Sequence, residues 1–412
     1  MRSYFSIGVV AVISLFVVRP VFSQPANLPD VITSSVGDLR LERLASLEFP
    51  WGIALLPDGR MLITEKPGRL RIFANGELSE AVGGVPKVVY RGAGRDQGGL
   101  LDVEIDPGFA DNGYVYISYS EAAEQQSPDL ADIDDFRFGR VDPTDNIVRG
   151  GLVARGKLEG NQLRDVKVIW RQSPKTMGRG HFGNRLVFAP DGKLFITSGD
   201  RMRFGPAQSL GSNLGKVLRI NPDGSVPTDN PFANREGARD DIWSYGHRNV
   251  LSAAIEPESG GLWVLEMGPL GGDELNLIQP GRNYGWPLVS NGDHYGRPSI
   301  PTSLMTIAGH LTSKAYEAPV RSWTPVISPS GAMFYTGSMF APWRGNLFAG
   351  GLSSRAVIRL KLEEGKVAIE ERIDMKRRIR DIAQAADGAL LVLVDAREGE
   401  LLRITPADRQ SP

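Results

Sequence analysis

The sequence predicts an all-β fold, a six-bladed β-propeller with long loops over one face. Three observations predict it. Gly at 48 and Pro at 28 of 412 residues supply many turns without a collagen-like period. A turn of Pro or Asp with Gly, followed by a short apolar strand, recurs six times. Beyond the first two dozen residues no segment carries a long apolar stripe of period 3.6, so the helices a two-domain α/β chain would need are missing.

Residues 1–23 read as a secretory signal peptide. Arg2 opens a basic end, Ile7 to Val18 are apolar apart from Gly8 and Ser14, and Val21 and Ser23 are small residues just before a cut ahead of Gln24. Arg19 and Pro20 stop the apolar run short of the roughly 20 residues that span a bilayer, and no later segment could cross one. The mature chain is therefore expected to be periplasmic or secreted, without a membrane span. Residues 24–43 are assigned to an N-terminal extension, 44–404 to the propeller and 405–412 to a C-terminal tail.

Within 44–404 the two clearest units are Pro57-Asp58-Gly59 leading to Met61–Thr64 and Pro190-Asp191-Gly192 leading to Leu194–Thr197. Weaker copies are Asp106-Pro107-Gly108 before Tyr114–Ile117, Pro257 to Gly261 before Leu262–Val264, Trp343-Arg344-Gly345 before Leu347-Phe348, and Asp387-Gly388 before Leu390–Val394. Radial repetition of such units leaves only short sheet edges exposed. Long irregular insertions are expected around 121–180, 200–245 and 285–320, rising over one face to build the site.

Composition excludes several classes of function. Lys and Arg number 47 against 48 Asp and Glu, a net charge of -1 that offers nothing to a nucleic-acid backbone. Loss of the leader removes Arg2 and Arg19 and no acid, so the mature chain is still more negative. With no Cys there are no disulfides, thiolate metal sites or thiol chemistry. Four histidines, none at zinc-ligand spacing, make a zinc hydrolase a poor fit.

Four segments carry unusual chemistry. His181 stands in Gly178-Arg179-Gly180-His181-Phe182-Gly183-Asn184-Arg185, where glycines allow close approach and a neutral imidazole could act as a base; a histidine satisfying a loop carbonyl explains the same residues. Ser244 to Asn249, followed by Glu266 to Glu274, resembles an oxygen-rich cation loop, or else a tight turn with solvated acids. Arg378 and Arg380 alternate onto one side of a strand and could hold carboxylates, although a short basic run is commonly a solvated face. Asp96 to Leu101 reads as a polar turn before a strand.

Taken together, Gln97-Gly98-Gly99-Leu100-Leu101, His181 to Leu186, Gly246-His247-Arg248-Asn249, Gly268-Pro269 with Gly272-Asp273-Glu274, Asn283 to Pro287 and Arg378 to Asp381 resemble the soluble PQQ-dependent glucose/sorbosone dehydrogenase family, closest to its aldose sugar dehydrogenase branch. The resemblance runs from about Leu44 to Ile404. It implies a six-bladed propeller whose loop face is the active-site face, and oxidation of an aldose sugar with PQQ and Ca²⁺ as cofactors. An external electron acceptor (quinone, dye or cytochrome) would complete the cycle. His181 matches the general base. Gly268 and Pro269 match carbonyls that hold Ca²⁺ beside the cofactor, and Glu274 with the Tyr284 carbonyl matches a second Ca²⁺ site. Gln97, Arg248, Asn249, Tyr295, Trp323, Arg378 and Arg380 match cofactor contacts.

Two departures stand out. Ser353 occupies the place of a cofactor-pairing lysine, with Arg355 nearby as a substitute, and Gly180 stands where the glucose-oxidising branch has an acid before the histidine. Two other functions fit parts of the pattern. A calcium-dependent propeller lactonase or esterase would use the metal loop and histidine but leave Arg378, Arg380 and Gln97 idle; a noncatalytic glycan- or protein-binding propeller explains only the fold.

Overall fold

The computed structural model describes residues 31–92, 96–126, 147–295 and 306–407. The expected signal peptide and the last residues of the expected tail lie outside these. Six antiparallel sheets form a ring. Blade one comprises Pro50–Leu55, Met61–Glu65, Arg69–Ala74 and Glu77–Leu78; blade two, Leu100–Ile105, Tyr114–Ala122, Val148–Glu159 and Gln162–Arg171; blade three, Gly183–Phe188, Leu194–Ser198, Lys216–Ile220 and Ile242–Tyr245. Blade four comprises Val250–Ile255, Leu262–Glu266, Asp273–Ile278 and Arg321–Trp323; blade five, Pro329–Phe334, Leu347–Gly351, Ala356–Glu363 and Lys366–Asp374. Blade six takes Ile379–Gln384, Leu390–Val394 and Gly399–Pro406 from the end of the chain and Gly37–Leu47 and Val31–Ser34 from its beginning.

All six turns read from the sequence join the first and second strands of a blade. The second strands are buried on both faces, which explains their continuous apolar runs. In blade two, Val115 and Ile117 enter the layer shared with blade one, while Tyr116 enters the layer shared with blade three. Six such apolar layers, one between each pair of neighbours, hold the ring together.

Two boundaries differ from expectation. The propeller begins before residue 44, because Gly37–Leu47 pairs with Gly399–Pro406 and closes the ring between the two ends of the chain; by the same pairing the last strand runs past 404. The span 121–180 is not wholly irregular, since Val148–Glu159 and Gln162–Arg171 form an outer hairpin whose charged face is turned to solvent.

The first strands line a central channel. Arg185 plugs it midway, with Nη1 2.8 Å from Asp102 and 3.0 Å from Asp381 and its guanidinium 4.1 Å over the Trp51 ring. A cavity of about 380 Å³, bordered by this cluster, continues past Glu104, Val187, Ile255, Thr336 and Gln384. The starts of the first strands lie at the opposite mouth.

In every blade the pairing of first and second strands shifts by one residue near the start of the first strand, between Pro50/Ile53, Leu100/Val103, Gly183/Leu186, Val250/Ser252, Pro329/Ala332 and Ile379/Asp381. Such a bulge re-aims the residues beyond it. Past it, six equivalent backbone bonds form, with the N–H of Lys66, Ser120, Gly199, Met267, Leu352 and Asp395 donating to the carbonyl of Phe49, Gly99, Phe182, Asn249, Ser328 and Arg378 at 2.8 to 3.1 Å. These six positions form a ring around the mouth.

Candidate active site

His181 precedes the first strand of blade three and adopts φ +53. A main chain held in this left-handed region is uncommon for a residue with a side chain and is over-represented at sites. Because Gly183 pairs with Ser198, the residue opposite His181 is Asp200. Its Oδ1 stands 2.7 Å from His181 Nδ1 and also accepts the Met202 N–H, while Oδ2 accepts Trp286 Nε1–H at 2.8 Å. This carboxylate fixes the tautomer with the proton on Nδ1 and leaves Nε2 as the acceptor. Burial, reinforced by Arg248, holds the imidazole below histidine's ordinary pKa against the opposing pull of Asp200, so it is neutral at pH 7.

Gln97 Oε1 accepts the His181 backbone N–H at 2.8 Å. The Asp200 N–H donates to the Arg248 carbonyl, and Arg248 Nη1 donates to the Met267 carbonyl, next to Gly268. A Cβ added at Gly199 would lie 2.2 Å from the His181 carbonyl oxygen and 3.1 Å from Asn249 Oδ1, so the three meet there. Gln97, His181, Arg248, Asn249 and Gly268 therefore form one connected group. Arg248 Nε and Asn249 Oδ1 are buried with no partner among the described residues. Unsatisfied buried atoms of this kind are costly and call for a ligand or water.

The four residues expected at metal sites come together. Gly268, Pro269, Glu274 and Tyr284 line one small cavity with Arg248 and Glu266; its volume is about 10 Å³, roughly what one water or ion needs. Glu266 and Glu274 are both buried and share Asn276 Nδ2 at 3.2 and 3.3 Å. Burial first, and the Glu266 charge after it, push the Glu274 carboxyl up against the pull of His310, 3.0 Å away. Arg248, His247 and His310 offset part of this charge, and the two carboxylates remain hard oxygen donors of the kind Ca²⁺ takes. Asp273 is spent on backbone, accepting the N–H groups of Gly268 and Ser328 at 2.8 and 2.6 Å.

Arg378 and Arg380 do lie on one side, and both close on Asp395 at 2.8 and 3.0 Å. Burial raises the Asp395 pKa, but Arg380 and Arg378 outweigh it and hold the carboxyl down to about 2. Ser353 is exposed, with its hydroxyl turned onto the Val326 carbonyl, and Arg355 beside it is exposed as well. Tyr295 is half-exposed and follows His294, which packs on Phe204 and Trp286. Trp323 is buried and packs in the apolar layer between blades four and five with Leu265, Leu275 and Ile327; the ring beside Arg248 is Trp286, 5.3 Å away.

Sequence reasoning missed Asp200, Asp395 and Lys66. Each stands just past the end of a second strand, so a hairpin register would have found them had the bulge been foreseen.

A propeller whose mouth gathers a histidine–carboxylate pair, a buried cation-sized cavity and paired guanidiniums has the makings of a cofactor-using enzyme. A family model described as Glucose / Sorbosone dehydrogenase matches residues 47–403, and the chain belongs to that family. It is 39% identical over 366 residues to aldose sugar dehydrogenase YliI of Escherichia coli (strain K12), covering 87% of this chain and 91% of that one. Identity to quinoprotein glucose dehydrogenase B of Acinetobacter calcoaceticus is 27%, covering 87% and 85%. The crystal structure of the soluble E. coli aldose sugar dehydrogenase in the apo form superposes with a TM-score of 0.78 at 38% identity, covering 89% of this chain and 99% of that one. For the PQQ-bound form of aldose sugar dehydrogenase from Streptomyces coelicolor the TM-score is 0.67 at 25% identity, with 89% and 98% covered.

Proposed function

We propose that this protein is a PQQ- and calcium-dependent aldose sugar dehydrogenase that oxidises the anomeric alcohol of a sugar to a lactone. The observation that carries the reading is the placement of the His181–Asp200 pair at the same channel mouth as Arg248, Arg378 and Arg380. Bound there, PQQ would supply the two-electron acceptor and Ca²⁺ the Lewis acid that polarises it.

The chain's own residues supply the rest. His181 Nε2 takes the proton of the anomeric hydroxyl, and Asp200 holds the ring in the accepting tautomer and stabilises the imidazolium that forms. Gln97 fixes the His181 backbone from blade two. The orphan Arg248 Nε and Asn249 Oδ1 are suited to a polar planar ligand, and Arg378 and Arg380 to its carboxylates. Gly268 and Pro269 would hold the ion beside the cofactor, and Glu274 with the Tyr284 carbonyl a second one next to it, with Glu266 on the same cavity wall. Export through the signal peptide would place the enzyme in the periplasm, with an external acceptor taking the electrons onward.

Adding PQQ and Ca²⁺ to the purified protein should produce the cofactor's near-visible absorption, and an aldose should bleach it. A reconstituted protein whose spectrum no sugar alters would overturn the reading.

A further inference from the structure

Arg248 and the cation-sized cavity lie on the side of blade four, so the blade-six side of the mouth is the one poor in positive charge. A tricarboxylate brings three negative charges, whereas Arg378 and Arg380 share Asp395 and together present one net positive charge. Ser353 adds none, and its hydroxyl points to a carbonyl of its own loop. A further cation on this side would complete the pairing of the carboxylates nearest blade six.

Blade one supplies it. Lys66 is the counterpart of Asp395 in the ring of six equivalent positions past the bulges, and that ring already contributes Asp395, Met267 and Gly199 to the site. Its amine is almost wholly buried, 2.5 Å from the carbonyl of Asp96, directly before Gln97, and 5.2 Å from the centre of the Tyr90 ring. Among the described residues the Asp96 carbonyl is its one hydrogen-bond acceptor, so two of its three protons are uncommitted. Burial, and after it the Arg380 charge, push the amine down to about 8, with Asp395 and Asp96 opposing; Arg378 is close enough to act too. With two guanidiniums near it and only Asp395 and Asp96 to offset them, this buried ammonium is suited to a further anion.

We propose that Lys66 is a ligand-binding cation of this site, one that pairs with a carboxylate of the bound cofactor alongside Arg378 and Arg380 while tying the Gln97 turn to blade one. The assignment rests on the cofactor reading given above.

The test compares PQQ with its trimethyl ester, which has the same ring system and no carboxylate charge, by titration of metal-loaded protein without sugar. A charge-assisted contact contributes enough to change affinity by roughly tenfold or more. Lys66→Met should weaken PQQ by about that factor more than it weakens the ester, and Lys66→Arg should restore PQQ. Should Lys66→Met fold poorly, Lys66→Gln keeps a donor for the Asp96 carbonyl and allows the same comparison. Equal losses for both ligands would make Lys66 a purely structural clamp and overturn the proposal, as would no loss at all. A wild-type protein that binds neither ligand overturns it together with the cofactor reading, whereas a wild type that binds PQQ beside an unaffected Lys66→Met overturns the Lys66 assignment alone.

Discussion

The Asp200 carboxylate and the His181 imidazole stand 2.7 Å apart, 19 residues distant in sequence and opposite each other across the blade-three hairpin. Gly180 leaves no acid immediately before the histidine, and this pairing supplies one from the neighbouring strand instead. Asp200→Asn should lower kcat by roughly 10²-fold, as loss of a positioned base does, with little change in KM. The sign of its pH effect follows from the charges. With His181 as the proposed neutral base, kcat/KM should fall as pH drops through its pKa, which lies below histidine's ordinary value of about 6.5. Asp200 raises that pKa, so the asparagine variant should move the acid limb to still lower pH. An unmoved limb would show that Asp200 does not act on the base.

His181→Ala should leave PQQ binding nearly intact and lower turnover by roughly 10²-fold or more. Dye reduction at the wild-type rate would remove His181 from the mechanism.

Chelation should abolish sugar oxidation and added Ca²⁺ restore it. Glu274→Gln should raise the Ca²⁺ concentration giving half-maximal activity, because it removes a buried carboxylate from the cavity that also holds Gly268, Pro269, Glu266 and Tyr284. Activity titrations over calcium in the two proteins make the comparison, and superimposable curves would place the ion elsewhere.

Arg185 is the stability prediction. Its removal as Arg185→Met leaves Asp102 and Asp381 buried without their counter-ion and strips donors from the Leu251 and Arg380 carbonyls, which should cost about 3–5 kcal/mol at pH 7. Burial lifts the Asp102 carboxyl to about 6 even beside Arg185, and loss of the cation lifts it further. A folded-state pKa above the unfolded value means that the folded protein binds more protons, so stability is gained as pH falls and lost as it rises. The deficit should therefore shrink between pH 7 and pH 5 in urea unfolding curves.

Much of the site was readable because its residues sit beside punctuated strand starts. Gln97, His181, Asn249 and Arg378 all lie just before a first strand, and a first strand is recognisable from the turn of Pro or Asp with Gly that ends it. The packing of Trp323 in the layer between two blades was not legible, because its neighbours Leu265, Leu275 and Ile327 come from different strands. The start of the propeller was misplaced because the alternating, charged Gly37–Leu47 looks like an extension until its partner, some 360 residues later, is found.

The sequence by itself determined the blade number and the all-β class, since turn chemistry and apolar runs are local properties that survive without knowledge of neighbours. Tertiary structure alone decided which charges meet. A one-residue bulge in each first strand changes the register by one and with it the partner of every residue beyond, so that Asp200 rather than its neighbour faces His181, and Asp395 faces Arg378. Closure of the ring then brings Lys66 of blade one beside Arg380 of blade six, a proximity that no spacing along the chain could express.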